Sequence, residues 1–410
     1  MRSAGGMSAS RRSWETVMLG TSQRVSRGLG VVSGSVAVGA LVLLSAAISS
    51  GSAPTGVTVA PTGGHWLVKD FAYIGEASCA SGSCHGADKP KTQSGQNIGD
   101  EFTIWSSSGE AGDPHNNAFK TLKTKASSDI AAKLKIDNAA ASDRCLTCHT
   151  LHVPQAQQKG KYSAESGNSC ESCHGPAEKW NTPHATAGWT ASERKSKGVA
   201  GLVSAYGLLD TSDMALRAEL CVSCHLQIDK PLVDAGHPPL QFEMYGYNKY
   251  FFDGQFTPHW DEPEGQLITA RLWAVGQAAS LEAARRQSAA WKAAGDSSAA
   301  DALVAMYEQG VGIAKKHFGA DTADGLNKAA LKPEACAAAA RDLAETAAGA
   351  KTALSRKVIA FGVMALAAAS FDGRGQEIPE AVWSAFDKAA PGAEGQAYVD
   401  AVKAIAAQAK

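Results

Sequence analysis

A repeated cysteine–histidine pattern constrains this 410-residue chain more than any other feature. Cys-x-x-Cys-His occurs three times, and a fourth stretch, CASGSCHG, has the same order with four residues between its cysteines. With 9 cysteines and 11 histidines in the chain, roughly 0.005 copies of the regular pattern are expected by chance. In chain order, motifs 1 to 4 are Cys79, Cys84 and His85; Cys145, Cys148 and His149; Cys170, Cys173 and His174; and Cys221, Cys224 and His225.

The spacing within each motif suits covalent attachment of haem. In c-type cytochromes two cysteine thiols form thioethers with the porphyrin, and the histidine that follows becomes the proximal iron ligand. Four intervening residues can serve as well as two when the surplus bulges outward. Ala80, Ser81, Gly82 and Ser83 are small, and glycine tolerates a positive φ. The sequence therefore predicts four covalently bound haem c groups.

Zinc and disulfides are the alternatives for paired cysteines. Cys-x-x-Cys elements also build tetrahedral zinc sites, but such a site does not need a histidine directly after the second cysteine. All four motifs have that histidine, which favours haem. For motif 1 a further alternative stays open, in which Cys84 alone forms a thioether and Cys79 is free.

The N-terminal region predicts export from the cytoplasm. Residues 28–68 contain no Lys, Arg, Asp or Glu, and this stretch follows four arginines, Arg11, Arg12, Arg24 and Arg27. Its core, LGVVSGSVAVGALVLLSAAI, is long enough to span a bilayer, and SAA at 45–47 resembles a cleavage site. Residues 1–50 are thus either a cleaved signal peptide or a retained membrane anchor, and both place the remaining chain on the periplasmic side.

Composition divides the remaining chain into three segments. Residues 51–70 are rich in Gly, Pro, Ser and Thr, which predicts a flexible linker. Residues 71–263 carry the motifs with little sustained periodicity, so haem groups are expected to supply the core. Residues 264–410 are Ala-rich with helical periodicity and predict an all-α bundle without chemistry of its own. The net charge of −1 gives no indication of nucleic-acid binding.

The pattern of the C-terminal segment predicts individual helices. One of them presents 303, 306, 310, 313 and 317 on one face and ends at Gly319. The others are expected near 268–294, 333–348, 353–370, 379–389 and 395–407. Cys336 is predicted to be a small buried side chain, and His317 a core or surface histidine rather than a ligand.

The histidines outside the motifs are the candidates for the sixth ligand of each iron. Iron held by two histidines suits electron transfer, whereas iron with an open face can bind a small molecule. Three histidines beside Pro, Gly or Asp are predicted as distal ligands: His115, His184 and His237. His259, in TPHW, has a similar setting. His152 follows His149 by three residues, so it could serve only a neighbouring haem. The haem of His149 is therefore expected to have the open face, unless His152 or His259 closes it.

At these positions the sequence resembles the multihaem cytochromes of the cytochrome c-554/c-prime family. The resemblance covers residues 73–260 and rests on YIGEASCASGSCHG, DPHNNAF, RCLTCH, CESCHGPAEKW, CVSCH and AGHPPLQFE. It implies a haem-stacked fold of helix and coil with haems in close pairs. It also implies that the four motif histidines are proximal ligands, and it matches His115 and His184 to distal positions. The expected fold class is mainly α, a multihaem cytochrome c followed by the Ala-rich bundle.

By this resemblance the chain is expected to be a periplasm-facing tetrahaem cytochrome that transfers electrons between redox protein partners in a respiratory or nitrogen-cycle chain. The alternative is an enzyme acting on a small nitrogen or sulfur species, such as hydroxylamine, nitric oxide or nitrite, at one five-coordinate haem. The carrier is favoured, and no catalytic residue is assigned. The Lys-terminated motif of some nitrite-reducing relatives is absent. The bundle and the N-terminal segment are not found in small soluble carriers of this type, which leaves the donor and acceptor open.

Overall fold

The computed structural model describes residues 57–58, 64–93, 96–107, 113–249, 267–389 and 393–409. Its helices are α1 Glu101–Ser106, α2 Pro114–Thr121, α3 Lys125–Lys133, α4 Asp143–His149, α5 Cys170–His174, α6 Trp189–Tyr206, α7 Met214–His225, α8 Lys230–Ala235, α9 Met244–Lys249, α10 Ile268–Ala293, α11 Ser298–Phe318, α12 Ala323–Lys328, α13 Pro333–Glu345, α14 Ala353–Asp372, α15 Glu380–Lys388 and α16 Gly395–Gln408. Two short antiparallel ladders pair Val57–Thr58 with Leu67–Val68 and Lys91–Gln93 with Gln96–Ile98. The predicted mainly α fold class is confirmed.

Several sequence predictions concern residues outside the described ranges. The signal peptide or anchor at 1–50, most of the linker, His259 and the domain boundary at 263/264 lie outside the described residues. Those assignments stay predictions.

Motifs 2, 3 and 4 share one local geometry. Each motif histidine is the last residue of a helix, α4, α5 or α7. Because residues three and four apart lie on one face of a helix, the two thiols and the imidazole of each motif project on the same side. The regular spacing is thus a helical spacing.

Motif 1 forms a turn instead of a helix. The Cys84 and Gly86 amides both donate to the Ser81 carbonyl, at 2.8 and 3.0 Å. Gly82 does not use the positive φ that its glycine would allow. The glycine that the turn requires is Gly86, where a Cβ would lie only 2.1 Å from the Ala80 carbonyl oxygen.

A buried carboxylate ties motif 3 to the chain before motif 1. Glu171, which is 1% exposed, accepts hydrogen bonds from the amides of Ile74, Gly75 and Ala177, at 3.0, 2.7 and 2.7 Å. Burial raises the pKa of Glu171, and the three amide donors oppose that shift. The middle of CESCH therefore anchors the segment that leads into motif 1.

The C-terminal helices form a bundle around α14. This helix is long and apolar enough to cross a membrane, but most of it is buried inside the protein, as in the core helix of a bundle. The six helices predicted from the sequence are confirmed, with ends that differ by a few residues, and Gly319 takes the left-handed conformation expected after α11. Cys336 is fully buried, as predicted.

The bundle core continues into the helix that carries motif 4. Met214, Ala218 and Val222 of α7 belong to the same buried apolar cluster as Leu272 and Trp273 of α10. One face of α7 therefore packs on the bundle while Cys221, Cys224 and His225 occupy its C-terminal end.

Close helix packing in the bundle predicts opposite effects at two glycines. An ideal Cβ at Gly362 would lie 2.6 Å from Nε1 of Trp273 and 2.8 Å from Cδ2 of Leu343, whereas one at Gly312 would contact nothing within 4 Å. Gly362→Ala should lower the free energy of unfolding by about 1–2 kcal/mol through overpacking. Gly312→Ala should raise it by roughly 0.5–1 kcal/mol through helix propensity. Urea denaturation measures both, and equal effects would contradict the packing described.

Candidate haem sites

In the described part of the chain, six histidines of the motif region form three pairs. The ring centroids are 6.1 Å apart in the motif 1 pair, 6.3 Å in the motif 2 pair and 5.8 Å in the motif 4 pair. These pairs are, in that order, His85 with His184, His149 with His237, and His225 with His115. Each pair combines one motif histidine with one histidine predicted as a distal ligand.

The spacing of these pairs suits one metal ion between two imidazoles. Distances from a metal to an imidazole nitrogen are about 2 Å, and the ring centroid lies about 1 Å behind that nitrogen. Two imidazoles on opposite faces of one iron therefore have centroids about 6 Å apart. All three pairs meet this requirement.

In five of these six rings Nδ1 lies within hydrogen-bond distance of an oxygen acceptor. Carbonyl and carboxylate oxygens only accept, so Nδ1 carries the proton and Nε2 keeps the lone pair that a metal needs. The acceptors are Glu101 Oε2 for His85 (2.8 Å), Asp113 Oδ1 for His115 (2.8 Å), the carbonyls of Ala118 for His149 (3.0 Å) and Asn181 for His184 (2.5 Å), and the Pro238 carbonyl for His237 (2.8 Å).

Three other histidines show the opposite arrangement. His65, His152 and His317 use Nε2 for hydrogen bonds to Asn168, Asp143 and Asp342, at 2.9, 2.9 and 2.7 Å. The structure thus gives no support to the alternative in which His152 ligates a neighbouring haem, because α4 ends at His149 and the chain then turns His152 toward Asp143.

The motif 2 pair argues against the expectation that the haem of His149 has the open face, because His237 lies beside His149. His237 reaches His149 because α8 ends at Gly236, whose φ of 111° reverses the chain. Nζ of Lys133 on α3 donates to the Ala235 carbonyl at 2.7 Å and fixes this turn. Long-range packing of this kind leaves no mark in the local sequence.

The motif 3 histidine lies in an aromatic cluster. The ring of Trp180 meets His174 edge-on at 6.5 Å and His184 of the motif 1 pair at 5.2 Å. Trp180 is buried, and its Nε1 has no hydrogen-bond partner within the described residues. Trp180 therefore bridges the motif 1 and motif 3 sites.

The cysteines bring the four motifs together in a fixed order. The Cys79 side chain is hydrogen-bonded to Cys170, and the Cys148 side chain to Cys224. Cys173 lies near Cys221 and has its pKa raised first by burial and then by that neighbour. The motifs are thus connected in the order 1, 3, 4, 2. All nine cysteines are described and none forms a disulfide.

A cavity lies at the motif 4 pair. It spans about 840 Å³ including the open solvent at its mouth, and its lining includes Cys221, Cys224 and both histidines of the pair. Two lining atoms, Ser172 Oγ and Asn248 Oδ1, are buried without a hydrogen-bond partner in the described residues. Apolar walls, two thiols and two imidazoles fit haem c.

Burial of His225 at this cavity suits metal ligation, which needs a neutral imidazole. Burial lowers the pKa of His225 to about 3. Burial lowers the pKa of His115 as well, but the Asp113 carboxylate more than offsets it, so that pKa lies above its usual value. In the described residues no cluster of three or more His, Cys, Asp or Glu side chains is arranged to hold a metal ion by itself, as the zinc alternative requires.

Sequence reasoning missed the carboxylates that hold two of these histidines. Asp113 precedes His115 by two residues in GDPHNNAF and caps α2 by accepting from the His115 amide, so that tripeptide was a usable signal. Glu101 follows His85 by sixteen residues in another element, and no local pattern connects them.

Comparisons with known proteins agree with this geometry. Residues 78–175 match the family described as cytochrome c554 and c-prime. Cytochrome c-554 of Nitrosomonas europaea is 28% identical over 204 residues, which are 47% of this chain and 74% of that protein. No solved structure matches the chain. The resemblance inferred from the motifs is confirmed.

The pairing of His149 with His237 predicts a spectroscopic difference between two variants. His237→Ala should remove one ligand of the motif 2 iron and add a high-spin ferric signal in electron paramagnetic resonance. His152→Ala, three residues from the same motif, should add none because its Nε2 faces Asp143. A His237→Ala spectrum identical to that of the unmodified protein would exclude this pairing.

Proposed function

We propose that this chain, of which residues 78–175 match the cytochrome c554 and c-prime family, is a tetrahaem electron carrier acting between redox protein partners. The family implies covalently bound haem c and electron transfer; the number four and the partners are part of the proposal. The observation that carries it is the set of three histidine pairs with centroids 5.8–6.3 Å apart and five Nδ1 atoms engaged by oxygen acceptors.

Haem iron bound in these sites supplies one-electron transfer. The chain's contribution is to fix the ligands. The cysteines of each motif would attach one porphyrin, the motif histidine would ligate its iron, and in three motifs a second histidine stands ready as a further ligand. At those three sites a substrate would have to displace a histidine to reach the iron, which favours electron transfer over catalysis.

The order of motif contacts supports a pathway through the protein. Motif 1 is the most exposed site, since Cys84 is exposed and the His85 side chain is 40% exposed. The motif 4 site is less exposed, since the side chain of His115 is 26% exposed. Contacts between cysteines run from motif 1 through motifs 3 and 4 to motif 2. Electrons entering at the exposed end would thus cross the motif 4 site before reaching motif 2.

The proposed location is the periplasmic side of the membrane. Covalent haem attachment takes place outside the cytoplasm, and residues 1–50 have the charge and hydropathy pattern of an export signal or anchor. If the segment is retained, it is the expected contact of this chain with the membrane.

Four covalent haems predict a specific mass. Intact mass spectrometry of the exported protein after acid–acetone extraction should show four retained haem increments. Cys79→Ala should keep all four, with the motif 1 haem held by Cys84 alone. Cys336→Ala in the bundle is the matched control and should change nothing but the residue mass, because Cys336 is buried away from the motifs. Three increments in the unmodified protein would remove motif 1 from the haem sites.

Ligand binding distinguishes the carrier from the enzyme. If the protein is a carrier, the three irons held between paired histidines should be low-spin in the oxidised form and should not bind carbon monoxide in the reduced form. A carbon monoxide complex, or a high-spin signal that disappears with nitric oxide, at one of these three irons would contradict the pairing, and the same response at the motif 3 iron would favour the enzyme acting on a small nitrogen or sulfur species.

A further inference from the structure

The three histidine pairs differ in the charge of the groups that hold their Nδ1 atoms. In the motif 1 pair, His85 donates to the Glu101 carboxylate; in the motif 4 pair, His115 donates to the Asp113 carboxylate. In the motif 2 pair both histidines donate to neutral carbonyl oxygens. Two sites therefore carry an anion behind one ligand, and one site does not.

The surroundings of the motif 2 pair add the opposite charge. Lys133 lies beside the turn that presents His237, with its ammonium bound to the Ala235 carbonyl at 2.7 Å. Residues 120–135 around this site contain five lysines, Lys120, Lys123, Lys125, Lys133 and Lys135, and one acid, Asp129. Lys123 pairs with Glu165 and Lys125 with Asp129. Lys120, on the helix that supplies the Ala118 acceptor, is held by the neutral side chains of Asn116 and Asn117.

A carboxylate behind a ligating imidazole changes the electron affinity of the iron. The hydrogen bond draws the Nδ1 proton toward the carboxylate and makes the imidazole a stronger donor, which stabilises ferric over ferrous iron. The negative charge acts in the same direction, since the ferric form carries one more positive charge. Its effect grows with burial because the interior screens charge less than water does.

We propose, on the basis of the function proposed above, that Glu101 and Asp113 are positioning residues that lower the reduction potentials of the motif 1 and motif 4 haems below that of the motif 2 haem. Asp113 is 2% exposed and the Glu101 side chain is 17% exposed, so the effect of Asp113 is the larger. Electrons that enter the protein then collect at motif 2. This motif is the last in the series of motif contacts and lies next to the lysine-rich residues 120–135.

The test is a spectroelectrochemical titration of the haem-loaded protein and two variants. Asp113→Asn and Glu101→Gln keep an oxygen acceptor for Nδ1 and remove the charge, and asparagine also retains the capping of α2. Each variant should raise the potential of one haem, with the larger rise in Asp113→Asn, and leave the highest-potential haem unmoved. Asp113→Glu should restore the lower potential. Asp342→Asn is the matched control, since its carboxylate binds His317 in the bundle, and all potentials should stay unchanged.

The outcomes separate this inference from the proposed function. Unchanged potentials in both variants, with four haems present, would overturn the inference and leave the carrier intact. Fewer than four haems, or no low-spin iron, in the unmodified protein would overturn the proposed function itself. If Asp113→Asn does not take up haem, Glu101→Gln decides at the separate, more exposed site. Loss of haem in both variants would mean that the carboxylates are structural, and this also overturns the inference.

Discussion

The hydrogen bond at Nδ1 of five paired histidines is the interaction on which the motif region depends. An imidazole offers two nitrogens, and when Nδ1 donates to an oxygen it is Nε2 that can bind the iron. Here that choice is made by Asp113 at the start of α2, Ala118 within α2, Glu101 of α1, and the carbonyls of 181 and 238. The short helices and turns of residues 64–249 place these acceptors. Their limited apolar core is consistent with cofactors completing the packing.

Local pattern and long-range packing account for what the sequence could and could not predict. The motif spacing predicts four attachment sites, and the periodicity of the Ala-rich segment identified six helices, because both depend on neighbours a few residues apart. The partner of each motif histidine depends on where distant turns meet. His237 met His149 rather than another motif because of Gly236 and Lys133, and neither residue carries a signal for that contact. The same holds for Glu101 and His85.

The bundle contributes more to the motif region than its composition indicated. Besides covering one face of α7, it binds the chain that follows motif 4. Gln287 accepts from the Ile228 amide and Trp291 donates to the Ile228 carbonyl, both at 2.8 Å. Tyr307 pairs with the backbone of Phe242 in the same way. These contacts secure both ends of the segment that carries His237. The bundle, although it has no motif of its own, therefore helps to hold the second ligand of the motif 2 site.

The carboxylates behind the ligand histidines explain how a nearly neutral chain can still control the electron affinity of its haem sites. Its formal net charge of −1 excludes a strong overall field, so electrostatic control must be local. A carboxylate in contact with a ligating imidazole is the most local form, because it acts through one hydrogen bond and, at Asp113, inside a site that water does not screen. Lysines at the surface act over a longer distance and are weakened by salt. The buried carboxylates therefore provide a control of electron affinity that persists at physiological ionic strength, and the surface lysines add to it only at the motif 2 end.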